Sequence, residues 1–302
     1  MKQDILFSSP YEYADLSRET TDKGRVYLNG EEKLPSVTTI LSKTKPENDS
    51  LQQWIDRVGE EEAERIRNEA AARGTEMHEI LERQLKEGSI WDYYPDTPEK
   101  KRAYKMACTI MDQGFPSIDQ IYGCEVPLYY PGKYAGTADV IGKHLGEEAI
   151  MDFKQTNTPK RRRSYVWDYF QQLAAYATAH NELHGTEIKK GVIMMCSVDG
   201  FYQEFVLEGR EFERAADAWN TRLENFIQSI QPPPPERIPS SRSSCSVRVS
   251  NCFLSVFEGF IATLRPSSIK SLLSFLLTNR SFFTVSISSA FAFSCSAALK
   301  VL

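Results

Sequence analysis

Between residues 51 and 87 the apolar positions Ile66, Ala70, Met77, Ile80, Leu81 and Leu85 fall three and four apart, the spacing of one helical face. Gly88 ends that stretch. A second helix is predicted over about 97–113, opening on Thr97-Pro98, a capping hydroxyl followed by a proline that a first turn tolerates. The pattern then changes to that of strands. Residues 118–130, 134–143 and 149–154 read as three strands, separated by Pro131-Gly132 and by a turn at Gly146. A long helix follows over about 164–183, closed by Gly185. Strands at 192–197 and 201–207 flank Asp199-Gly200, a strong hairpin dipeptide, and a last helix spans 211–230. Residues 1–50 read as loop-rich, with one short apolar segment at 34–41. This order predicts an α/β fold, a layered domain around a mixed sheet.

Pro232 to Pro235 interrupt the pattern, since proline neither continues a helix nor donates to a sheet. Beyond them the chain is about a quarter serine, rich in Leu and Phe, with two acids against seven bases. That tail carries +5, so residues 1–231 carry −10 of the overall −5. Three segments are therefore expected: an N-terminal loop-rich segment over 1–50, a folded domain over 51–231, and a tail over 232–302 outside that domain. Residues 281–299 are uncharged, but their many serines suit a membrane span poorly, and no membrane association is expected.

The composition, 41% hydrophobic and 25% charged, is that of a soluble globular chain. Its acidity argues against a uniformly basic DNA-coating protein, while leaving room for a local basic strip. The six cysteines contain no C-x-x-C pair, which gives neither a zinc pattern nor a disulfide framework. The first residues lack the apolar core of a secretory signal, so a cytoplasmic setting is expected, in a bacterium or a phage-infected host cell.

Chemistry concentrates on two neighbouring strands. Asp139 lies in Gly136-Thr-Ala-Asp, and Asp152 opens Asp-Phe-Lys. Residues two apart on a strand share a face, so Asp152 and Lys154 project together. Adjacent strands lie about 4.8 Å apart, close enough for both aspartates to share a divalent ion. Hard oxygen ligands suit Mg2+ or Mn2+. The same D-x-K also fits a salt-bridged pair at a strand edge. Against that stands the apolar run Ala149-Ile-Met leading into it, which marks a central strand where buried charge needs a reason. His78, on the first long helix, fits a ligand or a surface histidine. Gln172 and Tyr176, four apart, share a face of the long helix, and Tyr176 alone also fits the core.

Taken in order, G-x-x-x-H (Gly74, His78), G-x-x-D (Gly136, Asp139), D-x-K (Asp152, Lys154) and Q-x-x-x-Y (Gln172, Tyr176) resemble the RecB-like exonuclease branch of the PD-(D/E)XK nuclease superfamily. The segment Pro35-Ser-Val-Thr-Thr-Ile-Leu and the Arg-Gly-Thr-x-x-His stretch are most similar to those of phage exonucleases and the mitochondrial genome maintenance exonuclease. The resemblance covers roughly residues 30–230. It implies a restriction-endonuclease-like core, a central mixed β-sheet flanked by helices. It also implies metal ligation by His78, Asp139, Asp152 and the Phe153 carbonyl, with Lys154 as the catalytic lysine. Gln172 and Tyr176 would hold the DNA strand or brace the site. Glu125 would touch a metal-bound water or stand as a solvated strand residue. Relatives with an iron–sulfur cluster carry grouped thiolates, and the cysteines here do not fit one, so no such cluster is expected.

Lys160, Arg161, Arg162 and Arg163 follow the D-x-K strand with Tyr165 and Trp167 beside them, a phosphate-binding strip with aromatic platforms or a solvated loop. The sequence thus leads to a Mg2+- or Mn2+-dependent deoxyribonuclease acting at DNA ends, single-stranded or duplex, in recombination, repair or replication, with no small-molecule cofactor. A structure-specific endonuclease on the same core and a catalytically inactive DNA-binding module are the alternatives.

Overall fold

A computed structural model of the chain describes residues 5–46 and 49–230. Residues 232–302, and with them the expected tail, lie outside the described residues.

Six strands form the central sheet: β1 (Leu6–Phe7), β5 (Ile118–Tyr130), β6 (Tyr134–His144), β7 (Glu147–Thr156), β8 (Gly191–Ser197) and β9 (Tyr202–Leu207), hydrogen-bonded in that order. β5, β6 and β7 form an antiparallel meander, β7 and β8 run parallel, and β8 and β9 close antiparallel. The sheet is mixed and helices cover both faces, as expected. Parallel neighbours need a crossover, and α5 (Trp167–His184) supplies it between β7 and β8. Because both faces are covered, β8 is buried at every position.

One face packs against α5, α6 (Gly209–Ile230) and the short α1 (Val37–Lys43), around Phe170, Leu173, Trp219 and Ile40. The other packs against α3 (Glu60–Glu87) and α4 (Pro98–Gln113), around Met77, Ile80, Met106 and Ile110. The Thr97 side chain caps α4 by accepting from the Lys100 N–H at 3.2 Å.

Two expectations are corrected. The helix expected over 51–87 is two helices, α2 (Asp49–Val58) and α3, separated at Gly59. Gly59 has φ of 88°, which α-helical backbone cannot adopt and which glycine reaches without a Cβ clash. The stretch expected to be loop-rich carries an antiparallel sheet of β2 (Ser17–Thr21), β3 (Gly24–Asn29) and β4 (Glu32–Pro35), followed by α1. Its strands are short and mostly exposed or half-buried, and only Leu16, Tyr27 and Leu34 bury substantial apolar surface, against Ala135 of β6. The Tyr27 hydroxyl meets Thr137 Oγ1 at 2.9 Å, fastening this sheet to β6 two residues from Asp139.

Candidate metal-dependent active site

Asp139, Asp152 and Lys154 meet where the β6–β7 ladder stops. Its last pair is Val140 with Met151, so Asp139 and Asp152 are the next residues in register. The ladder is continued by a side chain: Asp139 Oδ2 accepts the Phe153 main-chain N–H at 2.8 Å. On the other side, the pairs Cys124 with Val140 and Val126 with Ala138 set Glu125 opposite Asp139. Glu125, Asp139 and Asp152 therefore cross three adjacent strands in one row.

Asp152 is 1% exposed and Asp139 8%. The Lys154 ammonium contacts Asp152 Oδ2, and Gln172 Nε2 donates to Asp152 Oδ1 at 3.1 Å. The salt-bridged pair considered from sequence is thus present, but on an interior strand, with Asp152 buried and Lys154 half-buried. Burial pushes the Asp152 pKa up to about 6, with Lys154 opposing and Asp139 adding to the shift. Burial also works against charge on Lys154, but Asp152 and Asp139 outweigh it and raise its pKa above the ordinary 10.5.

His78 reaches the same point from α3, with Nδ1 3.4 Å from Asp139 Oδ2. Ligand atoms of His78, Glu125 and Asp139 all lie within 4.8 Å of one another. Glu125 is half-buried rather than a solvated strand residue. Burial, then Asp139 and Glu82, push its pKa up to about 7. Its φ of 55° is unusual for a residue with a side chain, a conformation costing on the order of 1–3 kcal/mol. Three crowded carboxylates facing one ammonium leave an excess of negative charge that a bound cation would neutralise. An imidazole beside hard carboxylate oxygens, at this spacing, fits a divalent ion.

The helices are fitted to this centre. A Cβ on Gly136 would lie 2.5 Å from Tyr176 Cε1, so the glycine of G-x-x-D makes room for the tyrosine of Q-x-x-x-Y. Gln172 and Tyr176 are both buried and bond one another at 3.3 Å, an arrangement that braces Asp152. Arg73, in the Arg-Gly-Thr stretch, donates to Gln155 at 3.1 and 2.9 Å and to Asn157 at 2.5 Å. Gln155 in turn donates to the Ala70 carbonyl at 3.0 Å, tying α3 to the end of β7. Gln155 and Tyr169, whose ring lies 5.1 Å from the Lys154 ammonium, stand outside the sequence motifs. The only signal available for Tyr169 was its place three before Gln172 on one helix face.

His78, Glu125, Asp139, Asp152 and Lys154 line a cleft of about 580 Å³, together with Arg18, Arg25 and Thr38 from the N-terminal region. Lys160, Arg161, Arg162 and Arg163 are not among the residues that line it. Lys160 is pinned through its main chain to Gln203, at 2.6 and 2.9 Å. Arg163 pairs with Glu211 at 2.5 Å, donates to the Val206 carbonyl at 2.7 Å and lies over Phe170, so its charge is spent joining the start of α5 to β9 and α6. Arg161 and Arg162 are exposed. Cys108, Cys124 and Cys196 are free thiols, and the other three cysteines lie outside the described residues. Among the described residues no helix is long and apolar enough to cross a membrane.

No family model matches the chain. It is 23% identical over 176 residues to mitochondrial genome maintenance exonuclease 1 of Mus musculus, covering 55% of this chain and 51% of that protein. The chain thus spans about half the length of that relative. Among solved structures, the "Putative exonuclease" of Eubacterium rectale overlaps 53% of this chain and 66% of its own, at 10% identity and a TM-score of 0.38. SSO0001 overlaps 55% of this chain and 77% of its own, at 16% identity and a TM-score of 0.27. The sequence relative carries the name of an exonuclease, in line with the resemblance read from the motifs.

Proposed function

We propose that the chain is a divalent-metal-dependent deoxyribonuclease that hydrolyses phosphodiester bonds at DNA ends, in recombination, repair or replication. One observation carries this reading. His78, Glu125 and Asp139 converge within 4.8 Å beside the ion pair of buried Asp152 with half-buried Lys154, all lining one cleft. Similarity to a relative named as an exonuclease supports it.

His78, Asp139, Asp152 and the Phe153 carbonyl would hold Mg2+ or Mn2+, and Glu125 is placed to join them. Bound there, the ion would lower the pKa of a water and offset charge on the phosphate. Lys154 is held by Asp152 as an ammonium, suited to donating to a phosphate oxygen as negative charge builds up. Gln172 fixes the Asp152 carboxylate, leaving Asp139 to orient toward His78. Water oxygen bonds to phosphorus and gives up one proton, the bond from phosphorus to the 3′ oxygen breaks, and that oxygen takes up a proton in exchange, giving a 3′-hydroxyl and a 5′-phosphate.

The test uses end-labelled linear DNA and closed circles, single-stranded and duplex, with Mg2+, with Mn2+ or with EDTA. Shortening of linear strands only when metal is present, with circles intact, is expected. Cut circles would convert the assignment to an endonuclease. Binding without cleavage in either metal would leave a DNA-binding module.

A further inference from the structure

The lining of the cleft is electrically one-sided. Glu79, Glu82, Glu125, Asp139 and Asp152 supply its acids, from α3 and the central sheet. Its cations are Lys154, already paired with Asp152, and Arg18 and Arg25 from the small N-terminal sheet. Neither Arg18 nor Arg25 has an ion pair or a side-chain hydrogen bond among the described residues, and both are exposed. A guanidinium left unpaired within a cleft that is otherwise acidic has no structural task there.

The two arginines are nonetheless firmly placed. Arg18 pairs across the β2–β3 ladder with Tyr27, and Arg25 lies two residues from Tyr27 on β3, so all three share one face. Tyr27 is buried and bonded to Thr137 on β6, which fixes that face relative to Asp139. The main chain of Arg25 is held on both sides. Its N–H donates to Thr39 Oγ1 at 2.9 Å, and its carbonyl accepts from the Ser36 N–H at 3.0 Å and the Thr39 hydroxyl at 3.2 Å. Gly24 permits this contact: its φ is 118°, and a Cβ there would lie 2.5 Å from Thr39 Cγ2.

We infer that Arg18 and Arg25 form a backbone-phosphate clamp, gripping the substrate strand from the part of the cleft lined by the small N-terminal sheet. The inference rests on the nuclease reading above and specifies how a polyanion enters an acidic site. Guanidinium forks match phosphate oxygens in pairs, and a rigid strand presents them with little ordering cost. The acids hold the cation and would repel the strand elsewhere, so the arginine wall sets the path of the strand through the cleft. Contacts of this kind position a strand without reading its bases.

The experiment compares wild type with Arg18→Gln, Arg25→Gln and the double variant, using a labelled oligonucleotide. Steady-state cleavage in Mg2+ is measured, along with binding in EDTA from low to moderate salt. Expected for the double variant are a KM raised about tenfold, a kcat at saturating DNA within about twofold of wild type, and a salt slope shallower by about 1 to 1.5. Arg18→Lys with Arg25→Lys should keep most of the slope and lose part of the affinity. Melting temperatures near wild type are expected, since both side chains are exposed. A double variant with wild-type KM and salt slope, beside a wild type that binds and cleaves, overturns the clamp alone. A wild type that neither binds nor cleaves DNA overturns the nuclease reading and the clamp with it.

Discussion

Asp139 Oδ2 accepts the Phe153 N–H at 2.8 Å and lies 3.4 Å from His78 Nδ1, so one carboxylate oxygen both closes the sheet and faces the ligand cluster. The two roles separate by substitution. Asp139→Ala leaves a buried N–H without its acceptor and should cost about 1–3 kcal/mol in metal-free protein. Asp139→Asn keeps an acceptor and should recover most of that stability while still binding Mn2+ poorly. Urea unfolding in EDTA, paired with Mn2+ titration, reads both. Equal stability of the two variants would remove the sheet-closing role.

Metal binding should itself stabilise the fold, because the ion neutralises carboxylates that the folded state crowds together. Saturating Mn2+ at one hundred times its Kd should add about 2.7 kcal/mol, seen as a rise in Tm. The rise should shrink sharply in His78→Ala and in Glu125→Gln. Wild-type shifts in both would place the ion elsewhere.

Gly136→Ala should destabilise the protein by about 1–3 kcal/mol, since the new methyl meets the Tyr176 ring at 2.5 Å and the strand beneath is fully packed. Tyr176→Leu should relieve much of that cost in the double variant. A double-mutant cycle on unfolding free energy checks it. Additive losses would show that the contact is not what excludes the methyl group.

His180 is buried between Tyr13 and Thr186, with its ring 4.6 Å from that of His184. Burial, and then His184, lower its pKa to about 4. The folded state therefore holds it neutral, while an unfolded histidine protonates near 6.5. Its contribution is complete above pH 6.5 and is lost as pH falls from there toward 4. The urea midpoint should drop over that window more steeply in wild type than in His180→Gln. Parallel pH profiles would contradict this.

Much of this architecture was legible because long periodic segments and turn dipeptides dominate it. Pro131-Gly132 and Asp199-Gly200 each sit between strands where the pattern put them, and Thr97 caps the helix it was expected to start. The small N-terminal sheet escaped because a strand such as Ser-Arg-Glu-Thr-Thr is exposed along its whole length and shows no alternation. Arg18 and Arg25 escaped with it. Glu125 carries two readings from sequence for a different reason: its left-handed backbone, half-buried opposite Asp139, is invisible to any periodicity. The run Lys160 to Arg163 fits a cationic strip or a solvated loop, and only the structure shows that Arg163 within it pairs with Glu211 and donates to the Val206 carbonyl, contacts set by elements more than forty residues away.

Lys154→Ala tests the central claim most directly. Cleavage of end-labelled linear DNA in Mg2+ should fall by about 10²–10⁴ relative to wild type. The variant should keep its fold by circular dichroism and its affinity for DNA within a few-fold. Wild-type cleavage rates in a folded Lys154→Ala protein would contradict the assignment of this site as the catalytic centre.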